Sequence, residues 1–285
     1  LGILGNFLDS ANNQVLSLAS SEFTHRYAAA YQEADRGALV SLFHAVAGAN
    51  TDYMQVRFLD MHGRERVRID RPKGKGEAKP IIVAAESMQD KGTKFYFQGP
   101  KSIPEGRLWH SRFNLNMEQG KIEEPIRPTF RVSTPVHVEG LFRGIVVINL
   151  AMDRIIELLA HSSDFDVFLT DRDGEILVHP EPDKSWSRYL PNRPGFSEAI
   201  RGRSLMGRGP YVHSLSRIFR NQEELSLALI AKDHLLANIS GSLPVPLNAA
   251  ERNWLAKNPV IRVHNETDWP PFNFAVDGTP RGYSI

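Results

Sequence analysis

The sequence predicts an α+β chain in which a long N-terminal helix leads into two tandem α/β domains. Three observations predict it. Apolar residues recur every three or four positions from Leu4 to Phe23, which is the period of a helix. From Tyr53 the period shortens to two, that of a strand. A strand, Asp-containing turn, Gly and Glu at residues 58–65 then return in nearly one register at 168–175. A repeat on that scale points to duplicated domains rather than a solenoid.

Each element follows from local signals. Leu4, Phe7, Leu8, Ala11, Val15, Leu18, Ala19 and Phe23 put one stripe on a single helix over residues 1–31. After a break at Asp35-Arg36-Gly37, Leu39, Leu42, Phe43 and Val46 mark a second helix, with Gly48 as its stop signal. Residues 53–60 and 64–71 read as strands closed by the turn Asp60-Met61-His62-Gly63. A basic loop at 72–76 and a short helix at 81–88 follow, then strands at 94–98, 107–114, 129–137 and 142–150. Asp153 can cap a helix over 153–161 that closes the first domain. The smaller copy has strands at 166–171, 175–179, 210–216 and 225–232 and a short helix near 195–201. Two separate mixed sheets, both spanned by the long helix, are expected. Residues 233–247, with Pro244 and Pro246, read as a way out of the second copy. The domain plan is thus a helical region 1–49, a first domain 50–161, a second 162–232, a linker 233–253 and a last segment 254–285.

Composition narrows the function. With 285 residues, 41% hydrophobic and 24% charged, the chain suits one large or two ordinary globular domains. A formal net charge of +1 gives no global reason to expect nucleic acid as a partner. The absence of cysteine removes disulfides, thiol catalysis and iron–sulfur clusters. No stretch approaches the ~18–20 apolar residues of a membrane span, and the chain opens at Leu1 without an initiator Met, which reads as a piece of something longer. The ten histidines include no His-x-x-x-His pair, with His161, His179, His213 and His234 far apart. No nucleophile elbow, phosphate loop or paired-carboxylate signature stands out, so no catalytic residue, metal or cofactor is expected. The basic, glycine-bearing stretch 202–209 reads as a solvated loop.

The chemistry concentrates on one sheet face. Alternation puts Met54, Val56 and Phe58 on one side of the first strand and Tyr53, Gln55 and Arg57 on the other. In its partner, Val67 and Ile69 oppose Arg66, Arg68 and Asp70. If the first face packs on the helix and loops cover the second, Arg57 and Arg68 need an anion there. Two sources stay open: a ligand, or protein carboxylates such as Asp70, Glu118 and Glu123 that make the arginines internal clamps. Tyr96, Trp109, Ser111 and Arg131 come from segments expected beside the same face, and Tyr and Trp combine apolar area with a polar tip.

Several ordered segments carry a resemblance: 53–60 (YMQVRFLD), Gly63-Arg64-Glu65, 96–102 (YFQGPKS), Ile126-Arg127-Pro128-Thr129 and 143–150 (RGIVVINL). Residues 1–232 resemble the double Cache extracellular sensor domains of bacterial and archaeal receptors, closest to those of transmembrane histidine kinases. The resemblance implies two tandem PAS-like (Cache) domains, with the arginine-bearing face as the pocket side of the membrane-distal one. The family's amino-acid-sensing motif is matched only in part, by Arg107-Leu108-Trp109-His110. Residues 254–263 (WLAKNPVIRV), Asp268-Trp269-Pro270-Pro271-Phe272, Gly278 and Gly282 are similar to the opening of type-3 periplasmic solute-binding domains, here cut short.

The function expected is the periplasmic or extracellular ligand-sensing region of a transmembrane receptor, a sensor histidine kinase. Its distal domain would bind a small anionic or zwitterionic organic molecule through Arg57, Arg68, Tyr96, Trp109, Ser111 and Arg131. Membrane attachment and kinase chemistry would lie outside this chain, and the signal would pass as a shift between helices of a homodimer. The alternatives are a dimerising spacer or a module that binds a periplasmic protein partner, and the sensor region of a diguanylate cyclase.

Overall fold

The computed structural model describes residues 2–72, 78–118, 120–200, 211–214, 225–232, 268–269, 273–276 and 279–281. The expected loops at 72–76 and 202–209, the linker and most of the last segment thus lie wholly or largely outside the described residues.

Three helices open the chain: α1 (Gly2–Ala19), α2 (Glu22–Ala30) and α3 (Glu33–Ala49). The single helix expected over 1–31 is broken at Ser20-Ser21, for a local reason. Ser21 caps α2 by accepting a hydrogen bond from Thr24 N at 3.1 Å, and the Thr24 hydroxyl donates back to Leu18 O at 2.6 Å. These side chains satisfy backbone groups that a continuous helix would pair internally. The next break falls at Tyr31, left-handed at φ 53°, rather than at Gly37, which lies inside α3.

The first sheet contains β1 (Tyr53–Asp60), β2 (Glu65–Asp70), β3 (Ile81–Ile82), β4 (Trp109–His110), β5 (Asn114–Leu115), β8 (Pro128–Val138) and β9 (Leu141–Ala151). Its order is β3-β2-β1-β9-β8-β4, with β5 also on β8. The short hairpin β6 (Met117–Glu118) and β7 (Lys121–Ile122) stands apart, and α5 (Asp153–Ala160) follows β9. Every pairing is antiparallel, which corrects the expectation of mixed sheets. Leu4, Leu8, Ala11, Val15 and Leu18 form the buried stripe of α1, and its main strand contacts are to β8 and β9. α1 ends at Ala19, short of the Tyr31 expected for a single helix.

Two segments change class. Residues 94–98 form not a strand but the start of α4 (Phe95–Lys101), which buries Tyr96, Phe97 and Pro100 at helical spacing against β8 and β9. The strand propensity of its aromatic run yields to that packing. Residues 81–88 form β3 and a 3-10 turn, Ala85–Ser87, instead of a helix. In the strand expected over 107–114, Ser111 interrupts pairing by accepting from Arg131 N at 2.9 Å and donating to Arg112 O at 2.8 Å. The N-cap of α5 is Met152, without a side-chain cap bond, and Asp153 stands in the first turn as an acid rather than as the cap.

Two bulges reset the faces of β1 and β2. A register shift between Tyr53 and Gln55 turns Tyr53 into the helix-side core with Val56 and Phe58, away from Gln55 and Arg57. A second shift pairs Leu59 with Glu65 and leaves Arg66 as the extra residue. Glu65 therefore joins the face of Arg57 and Arg68, while Arg66 turns to Asp60 Oδ2 at 2.8 Å and over the Tyr31 ring. Strict alternation had grouped Arg66 with Arg68.

A separate antiparallel sheet follows in the order β11-β10-β13-β12, from β10 (Phe165–Thr170), β11 (Ile176–Val178), β12 (Tyr211–Ser214) and β13 (Ser226–Ala231), with α6 (Phe196–Ala199) beside it. One face adds Val167, Leu169, Leu177 and Leu227 to the core that holds α1; the other gathers Phe168, Ile176, Ala228 and Ile230 with Phe196. All of this forms one compact unit, Leu1–Lys232. The second unit, Asp233–Ile285, contains an antiparallel sheet of β14 (Asp268–Trp269), β15 (Asn273–Val276) and β16 (Thr279–Arg281).

Candidate functional site

The face of the first sheet opposite α1 carries two polar rows set by strand register. Asp70, Gln55, Asn149 and Arg131 stand opposite one another across β2, β1, β9 and β8. Two residues further along, Arg68, Arg57, Val147, Ser133 and Trp109 form the next row, reaching β4. Beyond them the face turns apolar, with Leu59, Ile145 and Val147 packed on Phe97 of α4. Between this floor, α4 and the segment around β4 and β5 lies a cavity of about 1380 Å³.

The structure brings five of the six expected residues to this cavity: Arg57, Arg68, Tyr96, Trp109 and Arg131. Ser111 is fully buried and not among the lining residues; it ties the 109–116 segment to β8 instead. Arg57 donates from Nη1 to Glu65 Oε1 at 3.2 Å and from Nη2 to Asn149 Oδ1 at 2.8 Å. Arg68 forks onto Asp70, with Nε at 2.9 and 3.0 Å and Nη2 at 2.7 Å, and its Nη1 lies 3.4 Å from Glu65 Oε2. Of the carboxylates considered as internal partners, Asp70 is found on Arg68, Glu123 accepts from Asn116 Nδ2 at 2.9 Å, and the Glu118 side chain lies outside the described residues. Arg131 donates to Asn114 Oδ1 at 2.7 Å. The Tyr96 ring lies between the guanidiniums of Arg57 and Arg131, 5.3 and 5.1 Å from them.

Several site residues escaped the sequence reading. Glu65, with a fully buried side chain, joins Arg57 and Arg68 and also accepts from Gln89 N at 3.0 Å. Its position depends on the bulge at Arg66, which carries no local signature. Asn149 had a signal, being the lone polar residue in a run of buried apolar ones. Lys91, Lys94 and Arg112 also line the cavity, against the acidic Asp90. Glu65 and Asp70 offset Arg57 and Arg68, so the walls keep an excess of positive charge. Phe95, Trp109, Leu108 and Ile103 supply apolar surface, and Trp109 sits so close to Gly99 of α4 that a Cβ there would overlap its indole. This combination can hold a small molecule with an anionic end and an apolar body.

Among the described residues, no three His, Asp or Glu side chains are grouped so as to hold a metal ion. No described helix is long and apolar enough to cross a membrane.

The fold is similar to known sensor domains. A crystal structure of the extracellular domain of vpHK1S-Z8, described as a histidine kinase, superposes with a TM-score of 0.66 at 22% identity, covering 85% of this chain and 92% of that one. A domain from Vibrio parahaemolyticus, described as a sensory box/GGDEF family protein, gives a TM-score of 0.66 at 22% identity over 83% of this chain and 95% of that one. The ligand-binding domain of the Pseudomonas fluorescens chemoreceptor CtaA, in complex with L-serine, gives 0.51 at 16% identity over 81% and 91%. No curated protein matches the sequence. Residues 8–201, well over half of the chain, match the family model described as the sensor domain of bacterial histidine kinases, and the chain belongs to that family.

Proposed function

We propose that this chain is the extracytoplasmic sensing region of a membrane-anchored histidine kinase, and that the cavity of its first domain binds a small carboxylate-bearing molecule, anionic or zwitterionic. The single observation behind this reading is the floor on which Arg57, Arg68 and Arg131 converge beside Tyr96 and Trp109. The chemoreceptor CtaA, which shares the fold, is known in complex with an amino acid. Kinase chemistry belongs to parts of the receptor beyond this chain, and the ligand acts by binding two arrangements of the domain unequally.

The test is a thermal-shift screen of amino acids and short organic acids, followed by calorimetric titration. A ligand at 100 times its Kd stabilises the folded state by about 2.7 kcal/mol. In a unit of this size that raises Tm by roughly 5–10 °C. A cavity that takes only neutral or cationic compounds, or none of the panel, overturns the reading.

A further inference from the structure

A hydrogen-bond chain of fixed direction crosses the cavity floor. Arg57 Nη2 can only donate, so the Asn149 atom 2.8 Å away is Oδ1. Asn149 must then present Nδ2 to Gln55, and the Gln55 atom that accepts it at 2.8 Å is Oε1. This turns the Gln55 NH2 away from the chain. No described residue accepts a hydrogen bond from it, and Gln55 lines the cavity at 7% exposure. Arg57 itself is poorly placed to touch a ligand: both terminal nitrogens are engaged, Tyr96 covers its face, and its Nε is buried without a partner.

We propose that Gln55 is the specificity-determining residue of this site, reading an acceptor oxygen of the ligand through its Nε2, and that Arg57 is a positioning residue acting through Asn149. The inference rests on the reading that the cavity takes a carboxylate. Asn149 stands between Gln55 and Arg131 in one cross-strand row, so the outer two backbones are about 10 Å apart at the usual ~4.8 Å strand spacing. An oxygen above Asn149 meets the Gln55 amide donor from β1 and, from β8, the positive charge of Arg131, whose Nη1 and Nη2 donate to Asn114 and Asn116. A carboxylate satisfies both. A primary amide offers a donor where the site already has one.

The experiment titrates the full chain with L-serine, GABA, succinate and succinamide. Gln55→Glu keeps an oxygen for Asn149 Nδ2 but replaces the donor with a negatively charged acceptor, so it is expected to lose about 10- to 100-fold in affinity for whichever carboxylate binds. Gln55→Met removes the donor without adding charge and should lose about tenfold. Arg57→Met frees both amides to flip, so preference for succinate over succinamide should collapse, while Arg57→Lys, which keeps a donor to Asn149, should retain it. If carboxylates bind the wild type and both Gln55 variants equally well, this inference is wrong and the proposed function stands. Should no carboxylate bind the wild type, both fall. If the Gln55 variants do not fold, the wild-type Gln55 side-chain NH2 resonance decides, since it must shift when the carboxylate is added and a static resonance overturns the assignment.

Discussion

Glu65→Gln is the change that most sharply tests the electrostatic frame beneath the cavity. The Glu65 side chain is wholly buried, that of Arg57 is 3% exposed, and Glu65 also accepts from Arg68 and from Gln89 N. Removing one partner of a buried ion pair costs about 3–5 kcal/mol because the other charge is left uncompensated. Here Arg68 keeps its fork onto Asp70, so only Arg57 loses its counter-charge and the low end, about 3 kcal/mol, applies. At roughly 2–4 °C per kcal/mol for a unit of this size, Tm should fall by about 6–12 °C in a circular-dichroism melt. A paired replacement, Arg57→Met with Glu65→Met, removes both charges and should recover most of the loss. A single variant melting within 2 °C of wild type would show that Glu65 does not carry the charge of Arg57, and the account of the floor would be wrong.

Gly99→Ala should displace Trp109 from its seat on α4, lowering stability by about 1–3 kcal/mol and shifting tryptophan fluorescence; an unchanged spectrum contradicts the contact. Arg188→Met leaves the buried Asp171 carboxylate without its 2.7 Å partner and should speed hydrogen exchange at residues 111–116 and 171–176 together. Faster exchange at only one of them would separate the two domains. Burial raises the pKa of Tyr27, Tyr31 and Tyr53 above the usual tyrosine value. Their protonated forms are favoured in the folded state, so the stability they contribute is complete below about pH 10 and is lost as pH rises through the elevated values. Alkaline melts should therefore be flat to about pH 9 and fall above pH 10, and Tyr27→Phe should make that fall shallower.

How far the site was legible in the sequence depends on how local each signal is. Arg57, Arg68 and Arg131 sit on strands whose alternation is visible in the chain, and all three reach the cavity. Tyr96 reaches it as well, from a helix rather than the expected strand, because an aromatic run satisfies either period and only packing against β8 and β9 decides. Glu65 and Tyr53 were missed or misplaced because a bulge moves every later residue to the other face, and nothing in the local sequence marks the extra residue. Ser111 was expected at the ligand because its segment lies beside the arginine-bearing face. A buried hydroxyl between a backbone donor and a backbone acceptor has spent its capacity on holding strands together.

The repeated hairpin, visible in the sequence only as a similarity, proves to be one device used twice. Asp60 Oδ1 accepts from His62 N and Arg64 N, and Asp171 Oδ1 accepts from Asp173 N and Glu175 N at matching positions. In each case the second oxygen takes an arginine, but the arginines differ in origin. Asp60 holds Arg66 of its own hairpin, whereas Asp171 holds Arg188, which also donates to Phe113 O at 3.0 Å. Tyr189, itself a lining residue of the cavity, donates to the same carbonyl at 3.1 Å, and Phe113 stacks on Trp186. The segment carrying Trp109, Arg112 and Asn114 on the cavity wall is thereby fastened to the hairpin turn of the second domain. A ligand that moves this wall must either break those bonds or carry the second hairpin with it, and the charge-assisted 2.7 Å bond from Arg188 to the buried Asp171 favours the latter.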